Sequence, residues 1–388
     1  MDKIYLDHAA TTPVGTEVIN AMLPFMSQVY GNTSSLHSFG QEAKTAVERT
    51  RDQIAAHINA RPEEIVFTGG GTESNNWAIK GVALARKDKG NHIITSTIEH
   101  HAVLEVCGFM ERQGLDITYL PVDEFGFVDP GDVKKAITDR TILISVMHAN
   151  NEIGTIEPIA EIGAIAKNHG VYFHTDAVQT FGHCPIDVEK LNVDLLSACA
   201  HKLCGPKGAG LLYIRKGTRI EPFLHGGDQE RRLRASTLNV PGIIGMGKAA
   251  EIALAEIGSE SLRLTALRDR LIEGLLSSIE DSRLNGHPAR RLAGNANISI
   301  AYIEGEAMLL SLDMQGIAAS TGSACTSASM EPSHVLSAIG LPHELAHGSL
   351  RFSMGRSTTH QEIERVIDVL PSIVNKLRSV SPQYRRRA

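Results

Sequence analysis

The amine of Lys202 follows a run of residues, 195–199, that has the length and apolar character of a buried β-strand. A lysine at the end of such a strand can react with a carbonyl group and form a Schiff base. A solvated surface charge is the ordinary role of a single lysine. The chemical reading of Lys202 therefore depends on what the other strand ends carry.

Asp176 lies at a second strand end, directly after residues 171–175. A carboxylate in this position needs a cation, or it must lie exposed at the ligand-binding edge of the sheet. The pyridinium nitrogen of pyridoxal phosphate (PLP) is such a cation, and an acidic partner keeps it protonated so that the ring can accept electrons. Capping the N-terminus of the next helix is the alternative role for Asp176.

A glycine-rich turn, residues 69–72, follows a third strand pattern at residues 65–68. Glycines at a strand-to-helix turn allow a phosphate to approach the backbone N–H groups at the start of the helix. The turn is neither a Walker loop nor a clean GxGxxG motif, and a plain tight turn would explain it equally well. The turn, Asp176 and Lys202 all follow strands, in an order that builds one cofactor site, and this coincidence favours PLP.

The elements that must position these residues alternate between strand and helix patterns from about residue 40 to residue 215. The predicted strands are residues 65–68, 92–95, 117–120, 141–147, 171–175, 195–199 and 210–214. This alternation predicts an α/β fold with a mostly parallel central sheet, and ligands of such sheets bind at the carboxyl ends of the strands.

The pattern changes after about residue 250, where a long helix (247–279), a strand (295–302) and two further helices are predicted. We predict a large domain at 15–250 and a smaller α+β domain formed by 1–14 and 251–388. A stretch of small side chains at about 320–332 predicts a mobile loop in the smaller domain.

Composition excludes several classes of function. The net charge of −6 over 388 residues argues against nucleic acid as a bound partner, which requires a basic surface. The apolar runs are too short to cross a membrane and no apolar signal core begins the chain, so we expect a cytoplasmic protein. Five cysteines without paired spacing fit free thiols better than disulfides or a permanent zinc site.

The motifs belong to a longer series of matches. The chain resembles the fold-type-I PLP-dependent transferases, which are aspartate-aminotransferase-like, and along nearly its whole length it resembles the cysteine desulfurases of the NifS/IscS type in the class-V aminotransferase family. The stretches that carry this resemblance are YLDHAATT (5–12), GTESN (71–75), EH (99–100), HANNEIG (148–154), DAVQ (176–179), HK (201–202), SACT (323–326) and RFS (351–353).

The resemblance implies roles for individual residues around the ring of PLP. Lys202 would form the Schiff base, and Asp176 would pair with the pyridinium nitrogen. His100 would stack on the ring and move protons. Gln179 and Asn151 would bind the ring oxygen and orient the substrate.

At the two ends of the cofactor the resemblance implies further contacts. Gly71, Thr72 and His201 would bind the phosphate, together with Thr237 from the other subunit of a homodimer. Arg351 would bind the carboxylate of the substrate, a task that suits a planar bidentate donor, and Arg356 is a weaker second candidate.

Cys325, within SACT, would take the sulfur of L-cysteine as a persulfide and leave L-alanine. The resemblance implies transfer of that sulfur to an IscU/NifU-like scaffold protein for iron–sulfur cluster assembly. No intrinsic metal is expected, although Cys325 could share a cluster transiently with the scaffold. The alternatives are a selenocysteine lyase, another PLP-dependent lyase or aminotransferase, and a non-catalytic sulfur carrier or scaffold-binding protein. The SACT stretch argues against the other enzymes. The presence of Lys202, Asp176 and His100 argues against a non-catalytic protein.

Cys199 departs from the family pattern, because it stands where the family usually has a phosphate-binding serine, two residues before the histidine. A thiol is a poorer hydrogen-bonding group than a hydroxyl. We therefore expect somewhat weaker phosphate binding, unless Ser197 or a water compensates. Its place at the end of a buried strand predicts a protonated, unreactive thiol.

Overall fold

The structure, a computed structural model, describes residues 3–321 and 332–385. The strands in these residues are β1 (Ile4–Tyr5), β2 (Ile65–Thr68), β3 (His92–Ser96), β4 (Asp116–Leu120), β5 (Thr141–Ser145), β6 (Tyr172–Asp176), β7 (Leu195–Cys199), β8 (Gly210–Ile214), β9 (Ser282–Asn285), β10 (Asn295–Ile300), β11 (Ile317–Ala318) and β12 (Ser349–Ser353). The helices are α1 (Thr16–Met22), α2 (Pro24–Ser27), α3 (Ser38–His57), α4 (Gly71–Ala85), α5 (His101–Arg112), α6 (Pro130–Ala136), α7 (Ile159–His169), α8 (Val240–Ser278), α9 (Gly305–Asp313), α10 (His334–Ala338), α11 (His343–His347), α12 (His360–Val380) and α13 (Pro382–Arg385).

The central sheet has seven strands in the order β2-β8-β7-β6-β5-β3-β4. Neighbours from β7 to β4 are parallel, whereas β8 runs antiparallel to both β7 and β2. Strands such as β5 and β7 are buried along their whole length, as is typical of a parallel sheet covered on both faces. The predicted α/β fold is confirmed, and each of the seven predicted strands of this region is present.

A smaller antiparallel sheet, in the order β12-β10-β9, follows in the C-terminal third of the chain. One apolar cluster packs around this sheet and includes Leu6, Leu271 and Phe352, while the largest cluster packs on the central sheet. Helix α8 contributes residues to both clusters. The domain boundary at residue 250 falls within α8 and stays a prediction.

Helix α8 begins at Val240, seven residues before its predicted start. The side chain of Asn239 accepts a hydrogen bond from the Gly242 N–H and caps the helix. The glycines of the first turns weaken the helical pattern in the sequence. They are required here because a Cβ at Gly245 would lie 2.6 Å from the sulfur of Met22.

The N-terminal segment joins the two sheets. Strand β1 pairs with β11, and Asp7 forms a bridge to Ser353 at the end of β12. A few residues further on, the Thr12 N–H donates to the carbonyl of His201, which follows β7. The segment between these contacts therefore crosses the carboxyl edge of the central sheet.

Among the described residues, no helix combines the length and the apolar character that crossing a membrane would require.

Candidate active site

A cleft with about 900 Å³ of empty space lies at the carboxyl ends of the central strands. It is lined by ten of the residues predicted from the sequence: Gly71, Thr72, His100, Asn151, Asp176, Gln179, Cys199, His201, Lys202 and Arg351. These residues come from both sheets and from the turns between them. The fold therefore brings most of the predicted site together.

Lys202 follows β7 and reaches into this cleft. Its Nζ atom donates to the carbonyl oxygens of Ala9 and Ala10, the latter at 2.7 Å. Burial lowers the pKa of the Lys202 ammonium, and the positive charge of Arg351 lowers it further. Because the neutral amine is the nucleophile, this environment favours reaction with an aldehyde.

Asp176 is buried at the end of β6. Its Oδ2 accepts from the Asn75 side-chain amide at 2.6 Å, and its Oδ1 accepts from the Val178 N–H at 2.9 Å. Among the described side chains, no ammonium or guanidinium forms an ion pair with it. A buried carboxylate with this surrounding is suited to a protonated ring nitrogen such as that of PLP.

His100 is held by the helix that it precedes. Its Nδ1 accepts a hydrogen bond from the Ala102 N–H at 3.1 Å and so caps α5. Burial lowers the pKa of His100. The ring is therefore neutral with its proton on Nε2, and Nε2 is the nitrogen left for contacts in the cleft.

The first turn of α4 forms one end of the cleft. Gly71 begins this helix, and a Cβ at Gly71 would come within 2.5 Å of the Val178 side chain, so only glycine fits. The first N–H groups of a helix have no helical partner and favour an anion. A second cavity continues the cleft here and is lined by residues 69–73, His201 and Lys207. These features fit the phosphate of PLP.

His201 and Cys199 flank this end. The His201 Nδ1 lies 3.2 Å from the Thr11 hydroxyl, and burial together with the charges of Lys202 and Lys207 lowers the pKa of His201 to about 4. Cys199 is completely buried, and burial raises the pKa of its thiol to about 12 despite the nearby Lys202. Both side chains are therefore neutral near pH 7.

Arg351 lies on β12 and is 2% exposed. It donates to the Asn151 carbonyl at 3.0 Å and to the Asp7 carboxylate at 2.9 Å. Its buried Nε has no partner among the described residues. Arg351 lines the cleft, and this unpartnered N–H leaves hydrogen-bonding capacity for a carboxylate.

Three predicted residues lie elsewhere. Arg356 pairs with Glu256 at 2.7 Å and lines a neighbouring cavity, which shares Gln179 and Lys202 with the cleft, but it does not line the cleft itself. Thr237 is exposed and lines neither the cleft nor its phosphate end. Cys325, with most of the predicted mobile loop at 320–332, lies outside the described residues.

Sequence reasoning assigned no role to three groups that shape the site. Asn75 holds Asp176, and its position four residues after Gly71 on the same helix could have indicated this. Asp7 holds Arg351, and the carbonyls of Ala9 and Ala10 hold Lys202. No local pattern identifies these N-terminal contacts.

Comparisons with known proteins identify the family. Residues 4–366 match the family described as Aminotransferase class-V. A cysteine desulfurase IscS of Methanosarcina thermophila is 59% identical over 379 residues, which cover 98% of this chain and 94% of the relative. A cysteine desulfurase IscS of Dictyoglomus turgidum is 60% identical over 380 residues, covering 98% and 96%.

The chain belongs to the class-V aminotransferases, as a cysteine desulfurase of the NifS/IscS type. A solved structure described as a NifS-like protein superimposes with a TM-score of 0.91 at 37% identity, covering 97% of this chain and 100% of that one. Another, described as SspA in complex with cysteine, has a TM-score of 0.82 at 38% identity and covers 90% and 98%. Members of this family depend on PLP, which is the cofactor of this chain.

Proposed function

We propose that the chain removes sulfur from L-cysteine, holds it as a persulfide on Cys325 and releases L-alanine. The observation that carries the proposal is the meeting of Lys202, Asp176 and Arg351 in one cleft. The first two suit the aldehyde and the ring nitrogen of PLP. The third suits the carboxylate of an amino acid.

The residues divide the reaction between them. Bound PLP supplies an electron sink for the amino acid that it carries. Lys202 would hold the cofactor, and its amine would move protons to and from the substrate together with His100. Arg351 fixes the substrate carboxylate, while Asp176 stabilises the positive charge on the ring nitrogen.

Sulfur transfer needs no external oxidant. The thiolate of Cys325 attacks the sulfur of the bound cysteine and forms an S–S bond. The carbon–sulfur bond breaks, its electron pair goes to carbon, and a proton completes the methyl group of L-alanine. One thiol and one cysteine thus give one persulfide and one alanine.

The test compares Cys325→Ser with a matched control, Cys184→Ser. Cys184 is not exposed, and burial raises the pKa of its thiol to about 11, so we expect it to be inert. Cys325→Ser should remain yellow with PLP yet release almost no alanine from L-cysteine, whereas the control should react normally. Mass spectrometry after one turnover should place one extra sulfur atom on the Cys325 peptide. Sulfur on Cys107, Cys184 or Cys204 would contradict the proposal.

We also propose a homodimer in which Thr237 reaches the phosphate of the partner subunit. Large apolar side chains lie exposed along one stretch of this chain: Leu23, Met26, Tyr30, Leu36 and Phe39, with Leu36 94% exposed. Such a patch supports an interface, and Thr237 is exposed, as a residue that serves another subunit must be. A fully active monomer in solution scattering would contradict this arrangement.

The acceptor and the compartment belong to the same proposal. We propose an iron–sulfur scaffold protein of the IscU/NifU type as the sulfur acceptor, and the cytoplasm as the location. Incubation of persulfide-loaded protein with such a scaffold should move the labelled sulfur from Cys325 to the scaffold.

A further inference from the structure

Glu73 places a negative charge at the phosphate end of the cleft. Its Oε2 accepts a hydrogen bond from the Gly69 N–H at 2.7 Å, and its side chain lines the cavity formed by the glycine turn. The bond fixes the turn. The charge, however, would repel a phosphate dianion bound to Gly71 and Thr72.

Arg234 neutralises this charge. Its guanidinium makes two hydrogen bonds to the Glu73 carboxylate, at 2.9 and 3.1 Å. Both side chains are largely buried, at 15% and 18% exposed. A bidentate pair of this kind is geometrically specific and weakly screened by salt.

The segment that carries Arg234 is held by contacts with Arg51 and with β2, the strand that leads into the glycine turn. The buried carboxylate of Glu230 makes two hydrogen bonds to Arg51, at 2.7 and 2.8 Å, and accepts from the Phe67 N–H on β2 at 2.8 Å. Residues 230–232 all have positive φ, of 46°, 57° and 68°. Such a run of non-glycine residues persists only where surrounding contacts impose it. Arg234 is thus fixed relative to the strand that leads into the glycine turn.

We propose that Glu73 and Arg234 are positioning residues for the phosphate of PLP and act as a charge-compensated pair. Glu73 holds the Gly69 N–H and shapes the turn, while Arg234 cancels the repulsion that this carboxylate would exert. The inference rests on the proposed placement of the phosphate at Gly71 and Thr72.

The pair predicts an asymmetry between its two members. Arg234→Gln leaves an uncompensated carboxylate beside the phosphate and should weaken PLP binding about tenfold or more. Glu73→Gln keeps an acceptor for Gly69, removes the repulsive charge and leaves the positive charge of Arg234, so PLP should bind more tightly than in the wild type. The double variant should bind PLP better than Arg234→Gln alone.

The experiment removes the cofactor from the holoenzyme and titrates it back, following the yellow absorbance. Each variant is titrated with PLP and, separately, with pyridoxal, which has the same ring and aldehyde but no phosphate. Arg234→Lys keeps the charge and should bind PLP nearly normally. Arg232→Gln is the matched control, because Arg232 pairs with Asp228 where both side chains are about 80% exposed.

The inference is supported if Arg234→Gln weakens binding of PLP but not of pyridoxal and if the added Glu73→Gln change restores it. It is overturned if Arg234→Gln weakens the binding of PLP and of pyridoxal equally, or if the double variant binds PLP as weakly as Arg234→Gln alone. Thr72→Val separates a failure of the inference about Glu73 and Arg234 from a failure of the proposed phosphate placement. If Thr72→Val alone lowers the preference for PLP over pyridoxal, only the role of the pair fails; if neither Thr72→Val nor Arg234→Gln changes it, the phosphate placement fails as well.

Discussion

The two ends of the cofactor cleft are built differently. At the reaction end, Asp176 and Arg351 are almost completely buried, and each is held by direct hydrogen bonds. At the phosphate end, Thr72 is exposed and the contacts come from a turn, a helix start and a neutral histidine. The reaction end therefore depends on single residues. The phosphate end shares its task among many groups.

Of the substitutions that test this difference between the two ends, Lys202→Ala should have the largest effect on activity. Without the amine, the cofactor cannot be held covalently, so the yellow absorbance of the lysine-bound form should vanish and alanine release should fall by about a thousandfold or more. Lys207→Ala is the control, since Lys207 lies only at the phosphate end. Borohydride reduction and peptide mapping of the wild type should find the pyridoxyl group on Lys202. A label on Lys207 would refute the assignment.

Arg351→Lys should lower kcat/KM for L-cysteine by about one hundredfold, because a lysine cannot make the bidentate contact to a carboxylate. The yellow absorbance should be unchanged, since Arg351 acts on the substrate. Steady-state alanine release measures the effect, with Arg356→Lys as the control outside the cleft. A kcat/KM for Arg351→Lys that stays near the wild-type value would show that Arg351 does not recognise the carboxylate.

Glu99→Gln tests the buried carboxyl group that directly precedes His100. Glu99 is completely buried, accepts from Ser96 and from the Met147 N–H, and burial raises its pKa to about 8. The carboxyl is neutral in the folded state but ionises near pH 4.5 in the unfolded chain. Its contribution to stability is therefore complete below that pH and is lost as the pH rises through 8.

Relative to Glu99→Gln, the wild type should lose about 1.4 kcal/mol of unfolding free energy per pH unit between about pH 5 and pH 8. Urea unfolding of both proteins at several pH values gives this difference. A constant difference across the range would mean that Glu99 ionises normally in the folded protein.

Cys199→Ser should have the smallest effect, because many groups at the phosphate end bind the phosphate together. A hydroxyl is a better hydrogen-bonding partner for a phosphate than a thiol, so PLP should bind about threefold more tightly with turnover unchanged. Titration of cofactor-free protein measures the affinity. A loss of turnover like that of Cys325→Ser would instead make Cys199 part of the sulfur transfer.

The sequence predicts those parts of the site that follow from local patterns. Asp176 and Lys202 could be found because each directly follows an apolar strand, and parallel strands place such residues at one edge. The start of α8 could not be found in this way, because Gly242, Gly245 and Gly247 weaken the helical pattern in the sequence. In the structure the cap at Asn239 compensates for these glycines.

The contacts between distant residues were also beyond prediction. Asp7 and Arg351 are 344 positions apart, and Glu73 and Arg234 are 161 apart. Neither pair leaves a periodic signal. The left-handed residues 230–232 are imposed by the buried contacts of Glu230, and local preference would not select that conformation.

The crossing of the N-terminal segment between the two sheets constrains the order of assembly on the ribosome. Strand β1 and the Asp7–Ala10 segment are synthesised before their partners, which are Lys202, β11 and β12. Strands β2 to β8 can pair as soon as residue 214 has emerged. The Ala9 and Ala10 carbonyls can then meet Lys202, whereas the pairing of Asp7 with Arg351 must wait until β12 is complete at Ser353. Nascent chains released before that residue should form the central sheet without Arg351 in place, so the reaction end is completed only late in synthesis.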